Sequence, residues 1–213
     1  MVITYHGVES FKIQFGETVI AYNPISKSSE FKRANYGADI VMVSLNHPDM
    51  NGVENASRGD KAPFVVSGPG EYELGGITIR GFLSKSSYGG VERINTIYLL
   101  SMEGMNLCFL GALASPESLS LETKETIDGI DVLFIPIGGS GVLNPEQAYK
   151  LAVNLEPALS IPMHYGEGLN ETALRTFLKE GGEEKIEREE KLTLKKKDLE
   201  GKEGEIIVLQ AAL

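Results

Sequence analysis

The chain has 213 residues, 42% of them hydrophobic, with 24 glycines and a net charge of −10. This length buries a sizeable core as one domain or two small ones, and no run nears the roughly 20 apolar residues of a membrane span. The acidic balance argues against a nucleic-acid partner, because phosphate binding needs a basic surface.

The opening Met1-Val2-Ile3-Thr4-Tyr5-His6 has neither the basic segment nor the apolar core of a signal peptide, so a cytoplasmic location is expected. The single cysteine, Cys108, excludes an intramolecular disulfide and a cysteine-rich zinc site. Its neighbours Leu107, Phe109 and Leu110 predict a buried thiol.

In chain order, residues 2–5, 11–15 and 18–22 are β-rich and are broken by Gly7 and by Gly16-Glu17. Phe11-Lys12-Ile13-Gln14-Phe15 alternates, as a strand with one buried face does. Residues 40–43 are continuously apolar and predict a central strand. Strands follow at 64–66, 76–80, 96–100 and 106–110, the last two joined by a turn at Glu103-Gly104. Residues 132–136 predict a buried strand, and Asn144-Pro145-Glu146-Gln147 opens a helix with a capping box and proline at its first position. That helix ends near Leu155, before Pro157. A strand at 158–162 and a helix from Asn170-Glu171-Thr172 to Gly181-Gly182 come next. The tail offers strands at 191–194 and 205–209. The charged residues 183–190 and the cations within 26–33 and 195–197 read as solvated surface. Strands first, then strand–helix alternation, imply mixed sheets covered by helices.

Chemistry concentrates at two histidines that each follow an apolar strand: His47 in Ser44-Leu45-Asn46-His47-Pro48-Asp49-Met50, and His164 in Ile161-Pro162-Met163-His164-Tyr165. Strand ends of this kind form the rims on which sites are built. His6 has no evident partner and reads as structural. Three protein donors and a water suffice for a catalytic zinc, and His47, Asp49 and His164 could supply them, with Asp49 the candidate catalytic residue. Asp49 could equally be a turn-stabilising carboxylate after Pro48. Glu71 and Glu73 offer paired carboxylates, although they read rather as supports of loop geometry. No nucleophile-elbow pattern surrounds any serine.

The loop at 44–50 resembles the Thr-His-x-His-x-Asp-His loop of the metallo-β-lactamase superfamily. Further segments resemble its branch of ascorbate-6-phosphate-lactonase-like, zinc-dependent hydrolases: Thr4-Tyr5-His6-Gly7-Val8-Glu9-Ser10-Phe11, Tyr22-Asn23-Pro24, Gly68-Pro69-Gly70-Glu71-Tyr72-Glu73, Asn95-Thr96-Ile97-Tyr98, Leu110-Gly111-Ala112-Leu113, Pro136-Ile137-Gly138-Gly139 and residues 161–165. The resemblance covers nearly the whole chain. It implies one α/β domain over residues 1–213, a four-layer αββα sandwich of two mixed sheets flanked by helices, with metal at one end between the sheets.

The resemblance also implies where metal ligands would fall. Leu45 takes the place of the first loop histidine, His47 the second, Asp49 the aspartate and Met50 the third histidine. Ser86 is the nearest match, within 84–87, to the next histidine. Ala112 replaces the bridging aspartate, His164 is the final histidine, and Asn23 replaces the aspartate of an Asp-Pro segment. Leucine, methionine and alanine cannot hold zinc in the usual way; a thioether favours Cu(I). Two functions compete. One is a non-catalytic or small-ligand-binding protein with the di-zinc site dismantled and no cofactor. The other is a hydrolase of a lactone, phosphoester or phosphodiester, using one divalent metal (Zn or Mn) held by His47, Asp49 and His164. A small molecule is the expected partner, with no membrane and with homo-oligomerisation left open.

Overall fold

The computed structural model describes residues 1–213 apart from 167, 184, 185 and 213. Its strands are β1 (Val2–Tyr5), β2 (Phe11–Phe15), β3 (Thr18–Tyr22), β4 (Ile40–Met42), β5 (Phe64–Val66), β6 (Gly70–Leu74), β7 (Ile77–Ser86), β8 (Arg93–Met102), β9 (Met105–Phe109), β10 (Val132–Pro136), β11 (Leu159–Met163), β12 (Leu192–Thr193) and β13 (Glu205–Ile206). The helices are α1 (Leu121–Thr126), α2 (Pro145–Leu155) and α3 (Ala173–Glu180). One sheet runs β12-β1-β2-β3-β4-β5 and the other β13-β11-β10-β9-β8-β7-β6. Both are mixed: β3, β4 and β5 pair in parallel, as do β9, β10, β11 and β13. Among the described residues, no helix is long and apolar enough to cross a membrane.

The patterns explain the elements. Phe11 and Ile13 on β2 are buried while Lys12 is not. The strands β10 and β11 lie inside the parallel region and are buried at every residue. Glu103 and Gly104 both have positive φ (51° and 69°), the sign that a type I′ hairpin turn requires at its two central residues. Asn144 Oδ1 accepts a hydrogen bond from Gln147 N and Gln147 Oε1 accepts one from Asn144 N, closing the expected capping box of α2.

The inner faces of the two sheets make the main core. Phe109 stacks on Phe134 (centroids 4.1 Å apart), Tyr22 meets Phe109 at 4.2 Å, and Phe11 packs edge-on to Phe134 at 4.8 Å. Each aromatic pair adds about 0.5–1.5 kcal/mol beyond its buried area. On the outer face of the seven-stranded sheet, Ala148 and Leu151 of α2 and Leu174 and Phe177 of α3 cover Leu99, Cys108, Leu133 and Ile135. Cys108 is thus a buried free thiol, and desolvation pushes its pKa up to about 12. The outer face of the six-stranded sheet is covered differently. Val19, Ala21, Val41 and Val43 pack against Tyr36, Ala38, Val53 and Ala56, which belong to a loop and a single 3-10 turn rather than an α-helix. The sandwich keeps its two sheets, with one helical layer thinned to loop.

Three local expectations change. The hairpin of β7 and β8 extends to Ser86 and Arg93, well past 76–80 and 96–100. Its extension carries buried polar residues, Ser84, Asn95 and Thr96, which interrupt the apolar signal while pairing across the strands. Glu71 and Glu73 lie exposed on the edge strand β6 instead of supporting a loop. The short α1, capped by Ser120 accepting from Thr123 N, has its first residue Leu121 out in solvent, so no apolar helical stripe announces it.

Candidate functional site

The loops that leave β1, β3, β4, β9 and β11 meet at one rim. At its centre is the Glu9 carboxylate, fully buried. One oxygen lies 2.8 Å from His164 Nδ1, and the other accepts from Asn23 Nδ2 at 3.0 Å. With Glu9 as the acceptor, Nδ1 of His164 carries the proton. The Asn23 amide also donates to Ser44 Oγ at 2.7 Å and its oxygen accepts from Ser44 N at 2.8 Å. One side chain therefore ties the end of β3 to the loop after β4.

The backbone around this cluster is held in an uncommon conformation. Val8, Asn23 and His164 have φ of 53°, 44° and 63°; a β-branched residue at positive φ is a true outlier. The His164 amide donates to Val8 O, which locks two of the three together. A Cβ at Gly138 would run into the His164 carbonyl, so only glycine permits that approach. Strain of about 1–3 kcal/mol per residue persists only where surrounding bonds over-determine the geometry, as this network does.

A second polar group lies alongside. Asp49 accepts from Ser29 Oγ at 2.6 Å through one carboxylate oxygen and from the Tyr88 hydroxyl at 2.7 Å through the other. His47 Nδ1 is 3.3 Å from both Asp49 Oδ2 and Asp49 N; which contact it serves depends on its tautomer. Tyr88 packs edge-on against both imidazoles, at 4.9 Å from His47 and 4.8 Å from His164. Burial, and then the Asp49 carboxylate, hold the Tyr88 phenol well above its ordinary pKa, so it is a donor at neutral pH.

Beneath these groups the rim is apolar. Leu45, Met50 and Ala112 pack in one cluster with Val8, Ile25 and Val142, and Phe31, Tyr88 and Leu169 close over it. Leu45, Met50 and Ala112 are each at most 1% exposed. Ala112 N is fixed by Asn95 Oδ1 at 2.9 Å. Ser86, also buried, accepts from Tyr88 N at 3.1 Å and so seats the tyrosine.

A family described as the β-lactamase superfamily domain matches residues 2–164. The chain belongs to that family. A UPF0173 metal-dependent hydrolase of Lysinibacillus sphaericus is 26% identical over 196 residues, which span 78% of this chain and 85% of the relative. A crystal structure from Thermotoga maritima, named as a Zn-dependent hydrolase of the metallo-β-lactamase superfamily, is 28% identical with a TM-score of 0.77, covering 98% of this chain and 97% of that one. A metallo hydrolase from Ignicoccus hospitalis has the same fold, with a TM-score of 0.61 at 20% identity over 91% of this chain and 99% of its own.

The β-lactamase superfamily relatives are named for metal, so the donor set at this rim is the test of fit. Among the described residues, no group of three or more His, Cys, Asp or Glu is placed to hold a metal ion. His47 and Asp49 meet, but His164 is not placed with them as a third donor; its Nδ1 lies against Glu9, which leaves Nε2 as its free ring nitrogen. Both Asp49 oxygens already accept from hydroxyls. The residues present do not fit a zinc centre of the kind the loop motif implies.

Three contributors were missed in the sequence: Glu9, Ser29 and Tyr88. Glu9 had a signal, because a carboxylate beside apolar strands must find partners. Ser29 and Tyr88 had none; they reach Asp49 from 20 and 39 residues away.

Proposed function

We infer that this β-lactamase superfamily chain keeps the scaffold of metal-dependent hydrolases and works without their metal site, as a non-catalytic protein that binds a small ligand. The observation that carries this reading is the Leu45–Met50–Ala112 cluster closed over by Tyr88, whose hydroxyl occupies Asp49. A buried apolar floor supplies neither donors nor a home for an uncompensated charge.

A second reading, a metal-dependent hydrolase, has a specific support: the relatives at 26% and 28% identity carry hydrolase names across most of their length. On the names alone it is the better reading. It requires His47, Asp49 and His164 to gather around one ion, and therefore requires Tyr88 to leave. Its substrate would be a lactone, a phosphoester or a phosphodiester.

Elemental analysis of protein purified without chelators separates the two. The first reading expects under about 0.1 equivalent of any transition metal and no rise in melting temperature with added Zn²⁺ or Mn²⁺. Near-stoichiometric metal that disappears in both His47→Ala and His164→Ala would overturn the first, and metal-dependent turnover of a lactone, phosphoester or phosphodiester would then establish the second.

A further inference from the structure

A cavity of about 470 Å³ opens beside the apolar cluster, within the size range of small-ligand pockets. It shares Val8, Ile25, Phe31 and Leu169 with that cluster, so its inner wall is the outer side of the packed floor. Tyr5 and Tyr165 add aromatic wall, their rings 6.0 Å apart. Their hydroxyls are already spent, on Val8 O at 3.1 Å and Leu209 O at 3.1 Å, and they fix the backbone on either side.

Among the described residues, two cations, Lys32 and Arg188, line the same cavity against one acid, Glu30. Neither cation is in an ion pair among the described residues. In a chain of net charge −10 this is a local excess of positive charge at an apolar opening. Both cations are exposed, at the mouth of the cavity.

The wall also contains an unmet polar atom. His6 is 8% exposed and its Nδ1 lies 2.8 Å from the Ala212 carbonyl, so Nδ1 is the donor. That leaves Nε2 as an acceptor, and this atom is buried with no partner.

We propose that this cavity binds a small amphipathic anion, with an oxyanion head between Lys32 and Arg188 and an apolar body against Val8, Phe31 and Leu169. This names the ligand class for the metal-free reading above and rests on it. Carboxylate and phosphate heads share the recognising chemistry, and the probes must tell them apart.

The test is calorimetric titration of the full chain with octanoate, octyl phosphate and octanol. The expected result is that an anionic probe binds at least about tenfold tighter than octanol, as two exposed cations acting together allow. Affinity falls with rising salt, and the preferred head identifies carboxylate or phosphate. Lys32→Glu and Arg188→Glu each weaken the anion, while Lys150→Glu on α2 leaves it unchanged. Should a charge-reversal variant fail to fold, the salt dependence of the unaltered protein decides in its place. Octanol binding as tightly as the anions, or anion binding indifferent to both salt and charge reversal, overturns the proposal. A metal-free protein that ignores every probe overturns the pocket alone. A protein that carries stoichiometric metal and still binds octanoate overturns the metal-free reading and keeps the pocket.

Discussion

Tyr88 donates its hydroxyl to Asp49 across 2.7 Å, and that one bond closes the rim where the superfamily's loop motif would hold metal. The ring lies against His47 and His164 at the same time. Tyr88→Phe should keep the packing and lose the bond, at about 1–3 kcal/mol for the partner left short. Tyr88→Ala should also leave space between the imidazoles, with a total loss of about 3–5 kcal/mol. Urea unfolding measures both. Neither variant should gain a melting shift with Zn²⁺, because Leu45, Met50 and Ala112 remain on the floor.

Glu9 is the most consequential polar residue at the rim. Its carboxylate is fully buried, and both oxygens are engaged, by His164 and Asn23. Glu9→Ala leaves both partners unsatisfied in the interior, and breaking a buried pair in this way costs about 3–5 kcal/mol. A chemical denaturation curve that moves by less than about 1 kcal/mol would mean that the network contributes little to the fold.

The apolar floor makes its own prediction. Ala112 is fully buried among Val8, Ile25, Leu45, Met50 and Val142. Ala112→Asp alone should therefore destabilise the fold by at least about 3 kcal/mol, since it buries an unpaired carboxylate. Combined with Leu45→His and Met50→His, the same aspartate has donors around it, and added Zn²⁺ should raise the melting temperature. A triple variant indifferent to Zn²⁺ would mean that the rim has lost more than three side chains.

His6 gives the chain a pH dependence with a definite sign. Desolvation lowers its pKa from 6.5, and nearby Lys12 adds to this, while the bond to Ala212 O opposes. Tyr36 stacks on the ring at 5.0 Å and offers no charge. A histidine with a depressed folded pKa contributes stability that is present above its unfolded value and is lost as pH falls through the folded one. The stability of the protein should therefore drop below about pH 6.5, and His6→Gln should flatten that drop. Thermal melts from pH 8 to pH 5 check it; identical slopes for both proteins would remove His6 as the cause.

Much of the fold was legible because its strands report burial directly. The alternation in β2 and the unbroken apolar runs of β4, β10 and β11 need no partner to be read. The capping box of α2 was equally local. Less legible were elements whose signal depends on neighbours. The outer halves of β7 and β8 carry Ser84 and Asn95, polar residues that are satisfied only once they face each other at 2.8 Å. The loop at 44–50 was readable as a motif, and its substitutions were readable as chemistry. What closes over it was not: Ser29 and Tyr88 reach Asp49 from two separate loops, and nothing in their immediate sequence announces that meeting.

The central claim is that the rim of this β-lactamase superfamily fold is an apolar floor under Tyr88 rather than a metal centre. Anomalous scattering at the zinc and manganese edges, from crystals grown with either ion, tests it most directly. The account predicts no anomalous peak within coordination distance, about 2.0–2.3 Å, of His47, Asp49 or His164, with the Tyr88–Asp49 bond intact. A single strong peak shared by those three side chains, with Tyr88 swung away, would contradict it and establish a metal-dependent hydrolase site.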